Sequence, residues 1–187
     1  MKQGWTGVVL AGGKSSRMGR DKALIEIDGR TMLDRALDKL DPHCAELLVI
    51  GGSEKYGHVG PIVIADEWPG KGPLGGIATA MRYASNDKLL VIACDMPGLN
   101  DRLFDLLKTQ LGTATEAVVP RHGGLIEPLA SAYHRNARPV FRRCLELDVL
   151  KMSDALAQVR TTYVGVDPGN EGWPPDLFRN INTPGDL

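Results

Sequence analysis

Apolar positions along the chain keep two rhythms. Thr6 to Leu10, Leu47 to Ile50, Pro61 to Ala65 and Leu89 to Ala93 are short continuous runs that end close to glycine or aspartate. Such runs predict strands buried on both faces of a parallel sheet. Between them the spacing turns helical. Met32, Leu33, Ala36, Leu37 and Leu40 form one face, opened by Thr31 with Asp34 three residues on and closed by Pro42. Leu74, Ile77, Ala78, Met81 and Ala84 form a second, for which Pro73 suits the first helical position. Leu103, Phe104, Leu107 and Leu111 form a third, with Asn100 as cap and Gly112 as stop. Pro139, Val140, Phe141, Cys144 and Leu145 predict a fourth. A short fifth runs through Ala155, Leu156 and Val159, with Ser153 as the expected cap.

The remaining pieces are strands and turns. Leu24 to Ile27 is a brief alternating stretch stopped by Asp28-Gly29. Ala117 to Val119 and Leu129 to Tyr133 read as strands around a hairpin-sized loop containing Gly123-Gly124. Thr161 to Val166 is rich in β-branched residues, and 167–175 reads as loop. The order of elements predicts an α/β fold with a mainly parallel sheet covered by helices. In such sheets ligands lie beyond the carboxyl ends of the strands. The segment after Leu10, the turn at Asp66 and the turn at Asp95 are therefore expected on one edge.

Composition narrows the function classes. The 187 residues suit one domain, 1–187, at the usual size of ~100–200 residues. A chain of this length needs no metal or disulfide staple. A net charge of −1 disfavours nucleic acid or an acidic membrane as partner. Cys44, Cys94 and Cys144 are far apart and odd in number, which suits core thiols in a reducing compartment. No leader or membrane-span pattern is present, so a cytoplasmic location is expected.

The stretch Leu10 to Lys22, L-A-G-G-K-S-S-R-M-G-R-D-K, carries the chemistry. Gly12 and Gly13 can bring backbone amides close to a ligand, and successive amides form an anion-binding nest. Lys14, Arg17, Arg20 and Lys22 add positive charge, and an arginine can grip phosphate bidentately. The ordinary alternative is a glycine-rich surface loop with solvated cations. A Walker-type P-loop would need glycine where Val8 stands, and the dinucleotide fingerprint G-x-G-x-x-G is missing.

Asp95 ends an apolar run and precedes Met96-Pro97. A carboxylate so placed suits Mg²⁺, which takes one or two carboxylates together with substrate phosphates. The competing role, helix capping, is better served by Asn100. Asp66 could accept from a ribose hydroxyl, share the metal region, or simply form a turn. Gly75 and Gly76 each cost a helix about 1 kcal/mol relative to alanine. A flat ligand against the backbone would offset that, and so would close helix–strand packing. His43, His58, His122 and His134 are scattered, and no Ser-His-Asp or Cys-His constellation assembles. Phosphate chemistry by positioning and charge neutralisation is what remains.

At this point the chain resembles a known family. Leu10 to Lys22 resembles the signature of the molybdenum cofactor guanylyltransferases. Asp66, Gly72-Pro73-Leu74-Gly75-Gly76, Cys94-Asp95-Met96-Pro97, Glu127-Pro128-Leu129 with Tyr133, and Asn180-Ile181-Asn182-Thr183-Pro184 follow in the family's order. The resemblance implies a Rossmann-like, GT-A-type nucleotidyltransferase fold, a three-layer sandwich. It implies transfer of GMP from GTP to the terminal phosphate of molybdopterin, with release of pyrophosphate. By matching position, the Gly12 and Gly13 amides, with Arg17 and Lys22, would hold the triphosphate, and Ala11 belongs to the same nucleotide-binding set. Leu10, Gly75 and the Gly72-Pro73-Leu74 segment would lie near guanine, and Asp66 would contact the nucleotide. Asp95 would bind Mg²⁺, with Asn182 as second ligand. Arg17, Lys22 and Asp95 would carry the catalytic role.

Cytidylyl relatives tend to carry A-A-G where Ala11-Gly12-Gly13 stands. The small Gly12 leaves room for a purine and favours GTP over CTP. Two departures stand out. Gly51-Gly52-Ser53 replaces an asparagine found after the second strand in many members. The stretch Leu147 to Lys151 lacks the family's arginines, for which Arg142, Arg143 and Lys151 are substitutes. The alternatives are cytidylyl transfer to a related acceptor, or a non-catalytic GTP-binding protein that delivers cofactor. Molybdoenzyme apoproteins or insertion chaperones are the implied protein partners.

Overall fold

The computed structural model describes residues 4–11, 21–52, 56 and 60–181. β1 is Trp5–Leu10. A small hairpin follows, β2 Glu26–Ile27 and β3 Arg30–Thr31. Next come α1 Met32–Leu40, β4 Glu46–Ile50 and β5 Ile62–Ile64. α2 Pro73–Tyr83, β6 Lys88–Ala93 and α3 Asp101–Gln110 fill the middle. β7 Ala117–His122, β8 Leu125–Ile126 and β9 Ala130–His134 precede α4 Arg138–Glu146. α5 Met152–Leu156 and β10 Thr161–Gly165 complete the order.

The main sheet runs β10-β7-β9-β6-β1-β4-β5, with β8 paired to β7. The apolar runs take its centre. All six residues of β1 are buried, and Val8 lies opposite both Leu48 and Val91 in parallel register. β9 pairs antiparallel with β6 and β7, a reversal inside an otherwise parallel path. Alternation along the strands feeds two cores. Trp5 and Val9 face α1 and α3. Val8 and Leu10 face α2, α4 and α5. The expected three-layer sandwich follows from that alternation.

Local chemistry accounts for the helix starts. The Thr31 hydroxyl accepts from the Asp34 N–H at 3.0 Å and donates to the Asp34 carboxylate at 2.7 Å. Asn100 Oδ1 accepts from the Leu103 N–H at 3.1 Å. Asp28 and Gly29 both have positive φ, 51° and 76°, the geometry of a tight hairpin turn. The short helix at 152 departs from expectation. Lys151 occupies its cap position, and the Ser153 hydroxyl donates to its neighbour Asp154.

The two glycines of α2 answer to packing. A Cβ on Gly75 would lie 2.9 Å from Trp68 Cβ and 3.0 Å from the Trp68 carbonyl oxygen. One on Gly76 would lie 3.1 Å from Leu10 Cδ2. Close approach of the helix to the turn before it and to the end of β1 thus offsets their propensity cost.

After β10 the chain crosses back over the α1/α3 side. Val166, Trp173, Leu177 and Phe178 are buried in that core, and Ile181 is buried beyond them. The Arg102 guanidinium sits 4.0 Å from the Trp173 ring centre. Gly98 admits the crossing: a Cβ there would meet the Asp176 carbonyl oxygen at 2.3 Å. No helix among the described residues is long and apolar enough to cross a membrane.

Candidate active site

Three parallel strands end level. Hydrogen bonds continue one residue past them: Ala11 N–H to Ile50 O at 3.0 Å, Gly51 N–H to Ile64 O at 3.0 Å, Cys94 N–H to Leu10 O at 3.4 Å. The chain runs from β1 outward to β4 and β5, then returns to β6 on the other side of β1. That reversal makes the carboxyl ends of β1 and β6 a topological switch point, the place where such sheets take ligands. Ala11 and Cys94-Asp95 follow directly on those two strand ends.

Lys22 reaches the same place. Asp21 caps a 3₁₀ turn, Lys22–Leu24, by accepting from the Ala23 N–H at 3.2 Å. Ala23 is fully buried and anchors the turn. Lys22 Nζ then lies 3.5 Å from Asp95 Oδ2, with the side chains 23% and 21% exposed. At 3.5 Å the pair is long and only partly buried, so it is a loose contact rather than a structural tie. Its significance is the gathering of a cation and a carboxylate from positions 73 residues apart. The Asp95 carbonyl accepts from the Ile181 N–H at 2.9 Å, so the closing segment is tied to the same residue. Burial, then the carboxylates of Asp95 and Asp21, push the neighbouring Cys94 thiol up to about 12. At neutral pH it is no nucleophile.

Asp66 and Gly75 form a separate cluster. Asp66 Oδ1 accepts from the Trp68 N–H at 2.9 Å and from the Thr79 hydroxyl at 3.1 Å. A Cβ on Gly75 would lie 3.4 Å from that oxygen. Asp66 therefore organises the turn that leads into α2. It ends β5, on the far side of β4 from β1, whereas Asp95 ends β6. Leu10 connects the clusters by packing against Gly76, its side chain only 9% exposed. Gly12, Gly13, Lys14, Arg17, Arg20, Ser53, His58 and Asn182 lie outside the described residues.

The segment Glu127 to Leu129 lies against the end of β6, where the Ala93 N–H donates to the Leu129 carbonyl at 2.9 Å. Tyr133 is fully buried, and its hydroxyl donates to the Pro128 carbonyl at 2.8 Å. Glu127 Oε1 lies 2.9 Å from His122 Nε2, and the His122 ring stacks on Phe178 with centroids 5.0 Å apart. Arg142 pairs with Glu146 at 2.8 Å and lines a cavity of about 350 Å³ with Arg82, Arg138, Glu67 and Trp68. That cavity shares no residue with the Lys22–Asp95 pair.

Sequence reasoning missed Tyr56, Thr79, the bond from Ile181 to Asp95 and the His122–Phe178 stack as parts of this edge. The stretch around Tyr56 has no periodicity, and the other contacts join distant segments. Gly51 answers to packing here: a Cβ on it would lie 2.7 Å from the Tyr56 ring.

No group of three or more His, Cys, Asp and Glu side chains that could hold a metal occurs among the described residues. A partly exposed carboxylate at a strand end still fits Mg²⁺, a hard cation that completes its shell with phosphate oxygens.

Residues 7–161 match the MobA-like NTP transferase domain. A relative from Carboxydothermus hydrogenoformans, named "Probable molybdenum cofactor guanylyltransferase", is 35% identical over 98% of this chain and 93% of its own. One of the same name from Pelotomaculum thermopropionicum is 37% identical over 97% and 89%. Among solved structures, molybdopterin-guanine dinucleotide biosynthesis protein A of Archaeoglobus fulgidus superposes with a TM-score of 0.80 at 26% identity, covering 97% of this chain and 94% of that one. The ordered motifs, the sheet and the full-length likeness agree: the chain belongs to the molybdenum cofactor guanylyltransferase family of MobA-like NTP transferases.

Proposed function

We propose that the chain transfers GMP from GTP to the terminal phosphate of molybdopterin and releases pyrophosphate. The observation that carries this reading is the Lys22–Asp95 pair, 3.5 Å apart beyond the ends of β1 and β6. An oxygen of the acceptor phosphate attacks the α-phosphorus of GTP. The bond to the β-phosphate bridging oxygen breaks, and pyrophosphate leaves with that electron pair. The attacking oxygen is already anionic, so no general base is needed. Lys22 and Arg17 would neutralise charge on the triphosphate while the Gly12 and Gly13 amides hold it.

Asp95 supplies a hard oxygen ligand for Mg²⁺, and Asn182 follows directly on Ile181, which is bonded to the Asp95 backbone. When bound, Mg²⁺ would offset the charge growing on the phosphoryl oxygens and the leaving group. Asp66, Gly75, Leu10 and Ala11 would border the nucleoside through backbone and turn surfaces. The cytoplasm is the expected compartment, and a molybdoenzyme apoprotein or insertion chaperone the expected recipient of product.

The test is direct. Folded protein given GTP, Mg²⁺ and molybdopterin should release pyrophosphate, and CTP should compete poorly with GTP in calorimetry. Absence of release with GTP and with CTP would overturn the reading. Release with CTP alone would change the nucleotide and keep the enzyme class.

A further inference from the structure

Tyr56 is 1% exposed, yet it carries a hydroxyl. That hydroxyl lies 2.7 Å from the Ala11 carbonyl oxygen and 2.7 Å from Asp21 Oδ2, its one proton shared between the two acceptors. Ala11 and Asp21 are the described residues on either side of the glycine-rich segment 12–20. One buried side chain, 35 and 45 residues away in sequence, therefore joins the two ends of that segment.

The contact continues to the site. Asp21 divides its carboxylate: Oδ2 takes the Tyr56 hydroxyl, and Oδ1 accepts from the Ala23 N–H. The second bond caps the 3₁₀ turn that opens with Lys22, whose Nζ stands 3.5 Å from Asp95. The turn has three residues and little cooperativity of its own. Its orientation depends on the cap, and the cap depends on what holds Asp21. Burial, then the bond and charge of Asp21, raise the Tyr56 hydroxyl far above its ordinary range, so it stays a neutral donor. Gly51 completes the arrangement, because any side chain there would strike the ring at 2.7 Å.

We propose that Tyr56 is a positioning residue for nucleotidyl transfer, holding Ala11 and Asp21 together so that Lys22 is presented to the triphosphate beside Asp95. The proposal rests on the nucleotidyltransferase reading. It adds a residue that touches neither substrate nor metal and acts through Asp21.

The test uses the full chain and Tyr56→Phe, which keeps the ring under Gly51 and removes only the hydroxyl. Turnover per KM for GTP should fall about 10- to 100-fold, the usual loss when a supporting partner is removed. In calorimetry with GTP and Mg²⁺, Tyr56→Phe combined with Lys22→Ala should bind no more weakly than Lys22→Ala alone. A purely structural tyrosine would lower the melting temperature and leave kinetics below it unchanged. Unchanged kinetics, or losses that add fully to those of Lys22→Ala, would overturn the proposal.

Hydrogen exchange at the Ala23 amide supplies a readout independent of substrate. Tyr56→Phe should speed it, and Asp21→Ala should speed it further. Unchanged exchange would overturn the proposal, whichever nucleotide the enzyme uses. If the parent and Lys22→Ala are equally inactive while Ala23 exchange responds to Tyr56→Phe, the functional reading fails and the staple stands.

Discussion

The Ile181 N–H donates to the Asp95 carbonyl at 2.9 Å, which ties the closing segment to the turn carrying the site carboxylate. The same segment is wedged at Gly98, where a Cβ would meet the Asp176 carbonyl oxygen at 2.3 Å. Backbone cannot yield there as a flexible side chain could. Gly98→Ala should therefore lift the segment, cost about 1–3 kcal/mol by overpacking, and raise the Mg²⁺ concentration needed for half-maximal turnover. Denaturant unfolding and a metal titration would measure both, and an unchanged metal requirement would separate the segment from the metal.

Asp95→Ala and Lys22→Ala probe the pair itself. Loss of a group that stabilises developing charge costs about 100- to 1000-fold in turnover. The pair is long, 3.5 Å, and keeps solvent access, so its contribution to folding is expected to be small beside its effect on turnover. Both variants should lose activity with almost unchanged melting temperatures. A large stability loss with modest kinetic effect would reassign the pair to architecture.

The two α2 glycines should part company. Gly75→Ala sets a methyl against the backbone of Trp68 at 3.0 Å, whereas Gly76→Ala meets only the end of Leu10 at 3.1 Å. Alanine also gains about 1 kcal/mol of helix propensity at either place. Gly76→Ala should be close to neutral. Gly75→Ala should be destabilising and should weaken GTP binding by shifting the Asp66 turn. Melting curves and calorimetry on the two variants test the ordering.

Glu46 makes stability depend on pH. Burial raises its pKa, but hydrogen bonds from the Thr6 hydroxyl at 2.6 Å and from the Ser85 N–H and hydroxyl at 2.8 and 2.7 Å win, and the net shift is below the ordinary 4.5. With the folded-state pKa depressed, the contribution is complete above the ordinary value and is lost as pH falls through the folded one. Glu46→Gln should lower the urea midpoint at about pH 7. The difference should shrink as pH falls below the ordinary carboxylate value of 4.5.

The central strands, the helix faces and their Thr31 and Asn100 caps were legible in the sequence, because period and capping are local properties of a short window. The Ser153 cap was misread for the same reason: a serine near an apolar pattern offers no sign of which neighbour its hydroxyl will choose. The hairpin-sized loop before Leu129 pointed to β9 running back along β7, but its insertion beside β6 was beyond reach, since a strand's apolar run does not say which neighbour it will find.

The glycines, cations and strand-end aspartates marked phosphate chemistry on their own, since few other uses gather those residue types after a buried run. Whether Lys22 meets Asp95, whether Asp66 stands beside them or apart, and what Tyr56 does were decided by tertiary structure. The sheet order brings β6 beside β1 and sends β5 outward. Those contacts join residues 35 to 73 positions apart, and such a contact is set by the packing of both cores together, which no local window contains.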